Sequence, residues 1–576
     1  MQQVGKIKSN TQLLQVMTVL VLIAGFGLRI AKANVLPLNQ IEATLAISAE
    51  NLFEDNSQIS QPFYTVITGL LFWLFEDTNF VARIIPILAG SALILLPWLT
   101  GSWLSDRSKF ILSVGFAFDP ALMAASKTVG STSIAVTALF LVILLFLKKK
   151  PIGLGFALAI VFMSGPVFIT GGLAYGLALL LILIVNDSAE KVKFALRDFS
   201  WKPTLITFAI CYGLISSAFF MRPAGIGSSF EDIANLFNPT GLQPISLGVI
   251  AIVIAVLVYE FVPLLFGVWR WATKRKGQPL WMRFCLWASV FTFFVILINP
   301  ERLALNLVWL SIPLWIVAAS QLDELLEGFS EFEPISLAIA AFFLLMIGFV
   351  LFTFVGAVNV DGVNVFIYPE ETQHKLLIRS LLIVGGLLLV GITYFLVGYT
   401  WNTNVAQNAL MIGVGFFLVV FGLLGPSWHS AFLGVQQESE IWHQSSVLVD
   451  GERILETISD ISEMNHGQRE NQSITIVGIE SPALEWHLRA HDIKTVQSLT
   501  TTDSPEMIIT NLIDAQMWTA EYTGQDFNLS SIPNWSLLNL QEWLSWSLFH
   551  KLEVTNDEMA ILWVRTDQFP GQSLSE

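Results

Sequence analysis

From Val16 to Leu424 the chain is a succession of apolar runs, most of them roughly 18 to 24 residues long, broken by short polar stretches. That length matches the roughly 20 residues a helix needs to cross the hydrocarbon core of a bilayer. The pattern predicts spans at 12–30, 82–104, 108–125, 130–147, 152–164, 167–186, 203–221, 246–269, 281–298, 303–320, 335–355, 376–398 and 407–425, thirteen in all. The run "QPFYTVITGLLFWLFE" (61–76) is too short and too close to the next span to cross by itself, so it reads as a helix lying at the membrane surface. After residue 430 the pattern changes. "SITIVGI" (473–479), "TVQSL" (495–499), "EMIITNL" (506–512) and "MAILWVRTDQF" (559–569) read as strands. "SPALEWHLRAH" (481–491), with Ser481 as cap and Pro482 in the first turn, reads as a helix between them. The predicted class is a polytopic α-helical membrane protein with a small C-terminal α/β domain. Residues 1–430 form the membrane domain, with a long first loop at 31–81, and 431–576 form the extracytoplasmic domain.

Composition supports this division, since the 576 residues are 54% apolar and 13% charged, which excludes an ordinary soluble protein. The net charge of −15 comes from acidic loops and the acidic tail, and it gives nucleic-acid binding no support. Basic residues cluster between spans: Lys6 and Lys8, Arg107 and Lys109, "KKK" (148–150), "KVKFALR" (191–197) with Lys202, and "RWATKRK" (270–276). With the N-terminus in the cytoplasm all five clusters fall on the inner side, and the odd span count puts the tail outside, as expected in the plasma (inner) membrane. No small-residue cleavage site follows the first run, which reads as an uncleaved span. Cys211 and Cys285 lie in apolar spans and read as packing residues. "GIESPA" lacks the glycine spacing of a nucleotide loop. His487 and His491 share a helix face, but no third ligand has a clear place, so no metal site is assigned. The tail's tryptophans (442, 486, 518, 535, 543, 546, 563) suit a small core, a membrane contact or sugar stacking. The sequons at Asn471, Asn528 and Asn534 fit an outer location.

The stretch "LRIAKANVLPLNQIEATLAISAENL" (28–52) places an Arg at the end of the first span and an acidic motif in the loop after it, followed by "QPFYTVITGLLFWLFEDTNFVARIIPILAG" (61–90). This resembles the GT-C membrane glycosyltransferases, in particular the protein O-mannosyltransferase and lipid A aminoarabinose transferase group, glycosyltransferase family 39. The resemblance is best over the first 150 residues and extends to the overall topology. It implies transfer of a sugar from a polyprenyl-phosphate donor, with inversion, to a hydroxyl of a protein or lipid acceptor at the outer face. Where the family has Asp-Glu this chain has Ile41-Glu42, and where many members have Ser-Arg followed by an acid, "SKTVGSTSIA" (126–135) has Lys127 at the Arg position and Ser131 or Thr132 near the acid.

Such a transfer needs a base for the acceptor proton and positive charge beside the leaving phosphate. Glu42, the one acid at the motif position, is the candidate base or metal contact, set against a plain helix-start charge. Arg29, Asn39, Gln61, Lys127, Glu301 and Arg302 are the candidate substrate-binding residues. Arg83 reads as structural. Asp119 in "FAFDPALMAAS" is either a substitute acid or an Asx turn with Pro120. No cofactor is assigned, and a divalent metal ion is the one the resemblance leaves open. Loops 31–81 and 222–244 are expected to meet over the membrane and enclose a cavity walled by Arg29, Glu42 and Lys127. The alternative function is a catalytically reduced relative that binds glycolipid or serves assembly.

Overall fold

The computed structural model describes residues 2–53, 59–185, 197–235, 246–274, 277–327, 334–358, 370–433, 440–443, 445–470, 472–500, 503–511, 518, 520–550, 552 and 556–569. Parts of two basic clusters, the end of the 222–244 loop, the sequon at Asn471 and the C-terminus lie outside them. The membrane part begins with α1 (Gln2–Ile30), the loop helices α2 (Gln40–Glu50) and α3 (Pro62–Phe75), α4 (Asn79–Leu95), α5 (Asp106–Phe118), α6 (Pro120–Lys127) and α7 (Thr132–Leu147). Among the described residues eight helices are long and apolar enough to cross a membrane, or ten if each of two bent pairs is one span. The expected spans 130–147, 152–164 and 203–221 are helices of only 16, 13 and 16 residues.

The two bends correct the straight spans expected at 108–125 and 246–269. The first, of 52°, falls between α5 and α6, and the second, of 88°, between helices Val249–Tyr259 and Phe261–Thr273. Both have the same cause. Pro120 and Pro263 lack an N–H and crowd the carbonyl four residues back, which favours a stop and restart of the helix there. At the first break Asp119 caps the new helix, accepting the Leu122 N–H at 2.8 Å and the indole N–H of Trp315 at 2.8 Å. Its Asx-type reading therefore holds. Elsewhere helices approach closely over glycine. A Cβ at Gly115 would lie 2.4 Å from the ring of Trp315, and one at Gly171 would lie 2.1 Å from that of Trp309.

The tail forms a six-stranded sheet in the order β1-β5-β6-β4-β2-β3, made of β1 (Val447–Leu448), β2 (Ser473–Val477), β3 (Asp492–Val496), β4 (Met507–Thr510), β5 (Tyr522–Ile532) and β6 (Asn556–Arg565). β2 pairs parallel with β3 and β4, and the other pairs are antiparallel. β3 starts three residues before the run expected at 495–499, and β5 was not foreseen. The sheet's helix Pro482–His487 lies on the first outer loop. Gln40 donates to Ser481 Oγ at 2.9 Å and accepts the Ala483 N–H at 3.0 Å, so it helps cap that helix. Trp486 donates its indole N–H to Asn79 at 2.7 Å, Arg489 stacks on Trp486 at 4.3 Å, and the same Arg pairs with Asp77 at 2.9 Å. Those contacts seat the sheet domain on α2 and the start of α4.

Candidate active site

α2 starts at a reciprocal cap. The Asn39 side chain accepts the Glu42 N–H at 2.9 Å, and Glu42 Oε2 accepts the Asn39 N–H at 3.0 Å. Glu42 reaches further, because its Oε1 accepts the Val129 N–H at 2.8 Å in the turn between α6 and α7, and its Oε2 lies 3.5 Å from Arg83. It is 6% exposed. The acid of the motif thus joins three segments and keeps a lone pair on Oε1 for anything further. Gln61 holds the other end of the same turn, accepting the Ser131 N–H at 2.8 Å, while its own N–H donates to Asp232 at 2.8 Å. Its backbone is left-handed, at φ 50°.

The basic residues also hold the backbone around the broken span. Where Pro120 breaks the span, the last carbonyls of α5 lose their partners. Arg29 donates to the carbonyls of Phe116 and Ala117 at 3.0 Å each, to Gly25 O at 3.0 Å, and to Ser126 Oγ at 3.2 Å, fully enclosed. Lys127 Nζ donates to Ala31 O and Ala431 O at 2.6 Å each, the carbonyls that close the first and last membrane helices. Arg83 donates to Ala33, Leu36, Pro37 and Lys127 carbonyls at 2.7–3.0 Å. Each cation answers backbone carbonyls at or near the helix ends and in the first loop with charge-assisted hydrogen bonds.

A cavity of about 30 Å³ lies beside Glu42, lined by Pro37, Asn39, Glu42, Ala124, Lys127, Thr128, Trp442, His443 and Val447. Asn39, Glu42 and Lys127 are thus brought together, whereas Arg29 lies behind the wall and Gln61 beyond the Val129–Ser131 turn. Glu301 and Arg302 are absent from the lining. Arg302 instead donates to Leu247 O at 2.7 Å and joins two outer loops. Loops 31–81 and 222–244 do meet, through Gln61 with Asp232 and through Arg222 donating to Leu52 O at 3.1 Å. The far wall of the cavity, however, comes from the tail. Ser445 Oγ donates to Asn39 Oδ1 at 2.9 Å, and Asn39 forms a β-bridge with Val447.

Asp232 is a carboxylate that the sequence reading passed over. It lies on an amphipathic helix, Ser228–Asn235, and burial pushes its carboxyl up to about 6, against the opposing hydrogen bonds of Gln61 and Ser60. The signal was the run "SFEDI" in a loop expected to face outward. Its neighbour Gly165 is left-handed at φ 69°, and a Cβ there would lie 3.1 Å from Gln61 and 3.2 Å from Asp232. His487 and His491 gain no third ligand among the described residues. Burial lowers both imidazoles below the ordinary histidine range.

A helical membrane body with broken spans, a long first loop whose acidic helix meets the α6–α7 turn, and a small α/β domain seated over that loop define a GT-C glycosyltransferase fold. The crystal structure of ArnT from Cupriavidus metallidurans bound to undecaprenyl phosphate has it, with a TM-score of 0.52 over 96% of this chain and 98% of that one. The apo structure of the same enzyme gives 0.53 over 95% and 97%. Sequence identity is 14% in both, so the likeness is one of fold. No protein-family model matches the sequence. No curated protein matches it either.

Proposed function

We propose that this protein is a membrane glycosyltransferase that takes a sugar from a polyprenyl-phosphate carrier and passes it to a hydroxyl of a protein or lipid at the outer face. The observation carrying this reading is the end-to-end likeness, spanning membrane body and tail together, to an enzyme solved with undecaprenyl phosphate. The small cavity that gathers Asn39, Glu42 and Lys127 at the expected loop adds to it. In this reading Glu42 takes the acceptor proton through the remaining lone pair of Oε1, Lys127 supplies positive charge to the leaving phosphate, and Asn39 and Gln61 set the loop that holds both. The basic clusters support a cytoplasmic N-terminus and an outer tail. Purified protein given a radiolabelled polyprenyl-phosphate sugar and membrane extract as acceptor source should release polyprenyl phosphate and label an acceptor. Failure to bind or consume any such donor would overturn the reading.

The second reading, a catalytically reduced relative that binds glycolipid, is favoured by one observation. Glu42 already serves a helix cap, a turn and an ion pair, and Lys127 already holds two helix-end carbonyls. Saturable donor binding without turnover would select it.

A further inference from the structure

Away from the cavity just described, three side chains from distant parts of the chain converge where the tail meets the membrane helices. His429 lies near the end of the last membrane helix, Glu440 in the segment after it, and His550 at the left-handed C-cap (φ 51°) of helix Leu540–Phe549 in the sheet domain. Glu440 Oε1 is 3.0 Å from His429 Nδ1 and 3.1 Å from His550 Nδ1, and one ligand atom from each residue falls within 4.8 Å of the others.

Two features set this group apart from an ordinary hydrogen-bonded cluster. The Glu440 side chain is fully buried, and despite those approaches neither its Oε1 nor His429 Nδ1 makes a hydrogen bond of acceptable angle among the described residues. The three donor groups thus lie together, with the two imidazole rings stacked at 4.0 Å between centres, so that ligation of one ion requires the rings to turn toward it. The surroundings are also dry and aromatic. Tyr259 is centred 4.5 Å from Trp442 and 5.8 Å from His550, and Trp546 is 5.2 Å from His550. A carboxylate buried there needs positive charge, and neutral imidazoles supply none. Among the described residues, the two histidines are its ion-pair partners.

We infer that His429, Glu440 and His550 bind a divalent transition metal ion of the zinc type, which fastens the sheet domain to the end of the last membrane helix. Two imidazoles and one carboxylate are an established donor set for zinc, and bonds of about 2.0–2.1 Å in a tetrahedron put neighbouring ligand atoms about 3.3 Å apart. The observed 3.0 and 3.1 Å lie close to that edge. Tyr259 orients the set from outside, since its hydroxyl donates to Glu440 Oε2 at 3.1 Å and lies 3.3 Å from His550 Nδ1. Such outer partners fix the direction in which ligands point. The fourth position remains for water. The inference concerns the chain's assembly and stands whether or not the protein transfers sugar.

The test uses full-length, tag-free protein in detergent, stripped with a strong chelator and titrated with Co²⁺. Saturable binding of one ion per chain, with visible d–d absorption of a four- or five-coordinate site and displacement by one equivalent of Zn²⁺, is the expected result. H550Q and E440Q should abolish the absorption, the H487A/H491A double variant should leave it unchanged, and Y259F should retain it with affinity reduced about 10–100-fold. Because the wild-type titration depends on no variant, a misfolded variant cannot mask the answer. Absence of saturable Co²⁺ and Zn²⁺ binding by the wild type would overturn the inference, as would wild-type absorption persisting in a folded H550Q protein.

Discussion

Replacing Glu42 by Gln tests both the site and the reasoning that built it. The amide keeps the shape of the side chain, so as an exposed base it would lose rate and nothing else. Here the carboxylate holds the Asn39 and Val129 N–H groups and lies 3.5 Å from Arg83, with both side chains almost wholly enclosed. At that distance the charge attraction is about 5 kcal/mol for an effective dielectric constant near 20, and breaking a buried pair by removing one partner costs about 3–5 kcal/mol. Arg83 keeps four carbonyl acceptors, which points to the lower end. Against that, the amide nitrogen must face one of the two N–H groups, leaving a donor unsatisfied at about 1–3 kcal/mol. A net loss of about 3–4 kcal/mol is expected, read as a lowered unfolding midpoint in mild detergent. Removal of Arg83 by R83M breaks the same pair and leaves the carboxylate in place, so it separates stability from chemistry. If Glu42 is also the base, E42Q lowers turnover by a further factor of about 10²–10⁴ relative to R83M at a temperature where both remain folded. An E42Q protein as stable as the parent would refute the structural argument, and one that turns over donor as fast as R83M would refute the catalytic one.

Asp232 has its carboxyl raised to about 6 by burial, so the folded protein binds that proton more tightly than the unfolded chain does. Its contribution to stability is fully present below about pH 4, is lost as pH rises from 4 to 6, and is flat above that, a change on the order of 3 kcal/mol. Melting midpoints of D232N should lack this fall. Gly171→Ala pushes a methyl group into the Trp309 ring and should destabilise by about 1–3 kcal/mol, measured by denaturant unfolding in detergent. Trp486→Ala removes a 2%-exposed ring that carries the Asn79 hydrogen bond and the Arg489 stack, at about 3–5 kcal/mol. Limited proteolysis should then open the junction between tail and loop 31–81 before it opens the membrane helices, and unchanged protection there would contradict the docking described. A reporter fused at the C-terminus should be active on the outer side of the membrane, and cytoplasmic activity would reverse the orientation.

The sequence by itself determined the membrane character, the places of the apolar helices, the separate helix at Pro62–Phe75 and the presence of a sheet domain at the C-terminus. These follow from hydrophobic runs, prolines and caps, which act over a few residues and are written locally. It also marked the loop of interest, because Glu42 stands at the acidic-motif position of the family resemblance. Only the tertiary structure decided what the charged residues near that loop do. Arg29 looks like a phosphate ligand as long as its partners are unknown, yet a helix broken at Pro120 exposes carbonyls 87 and 88 residues away that Arg29 satisfies. β5, "YTGQDFNLSSI", has weak strand propensity and exists because β6 pairs along its whole length. The His429, Glu440 and His550 cluster has no spacing at all, since its members come from a membrane helix, a linker and the sheet domain. Donor sets of this kind are assembled by packing between separately folding parts, and packing over such distances leaves no mark on a local pattern.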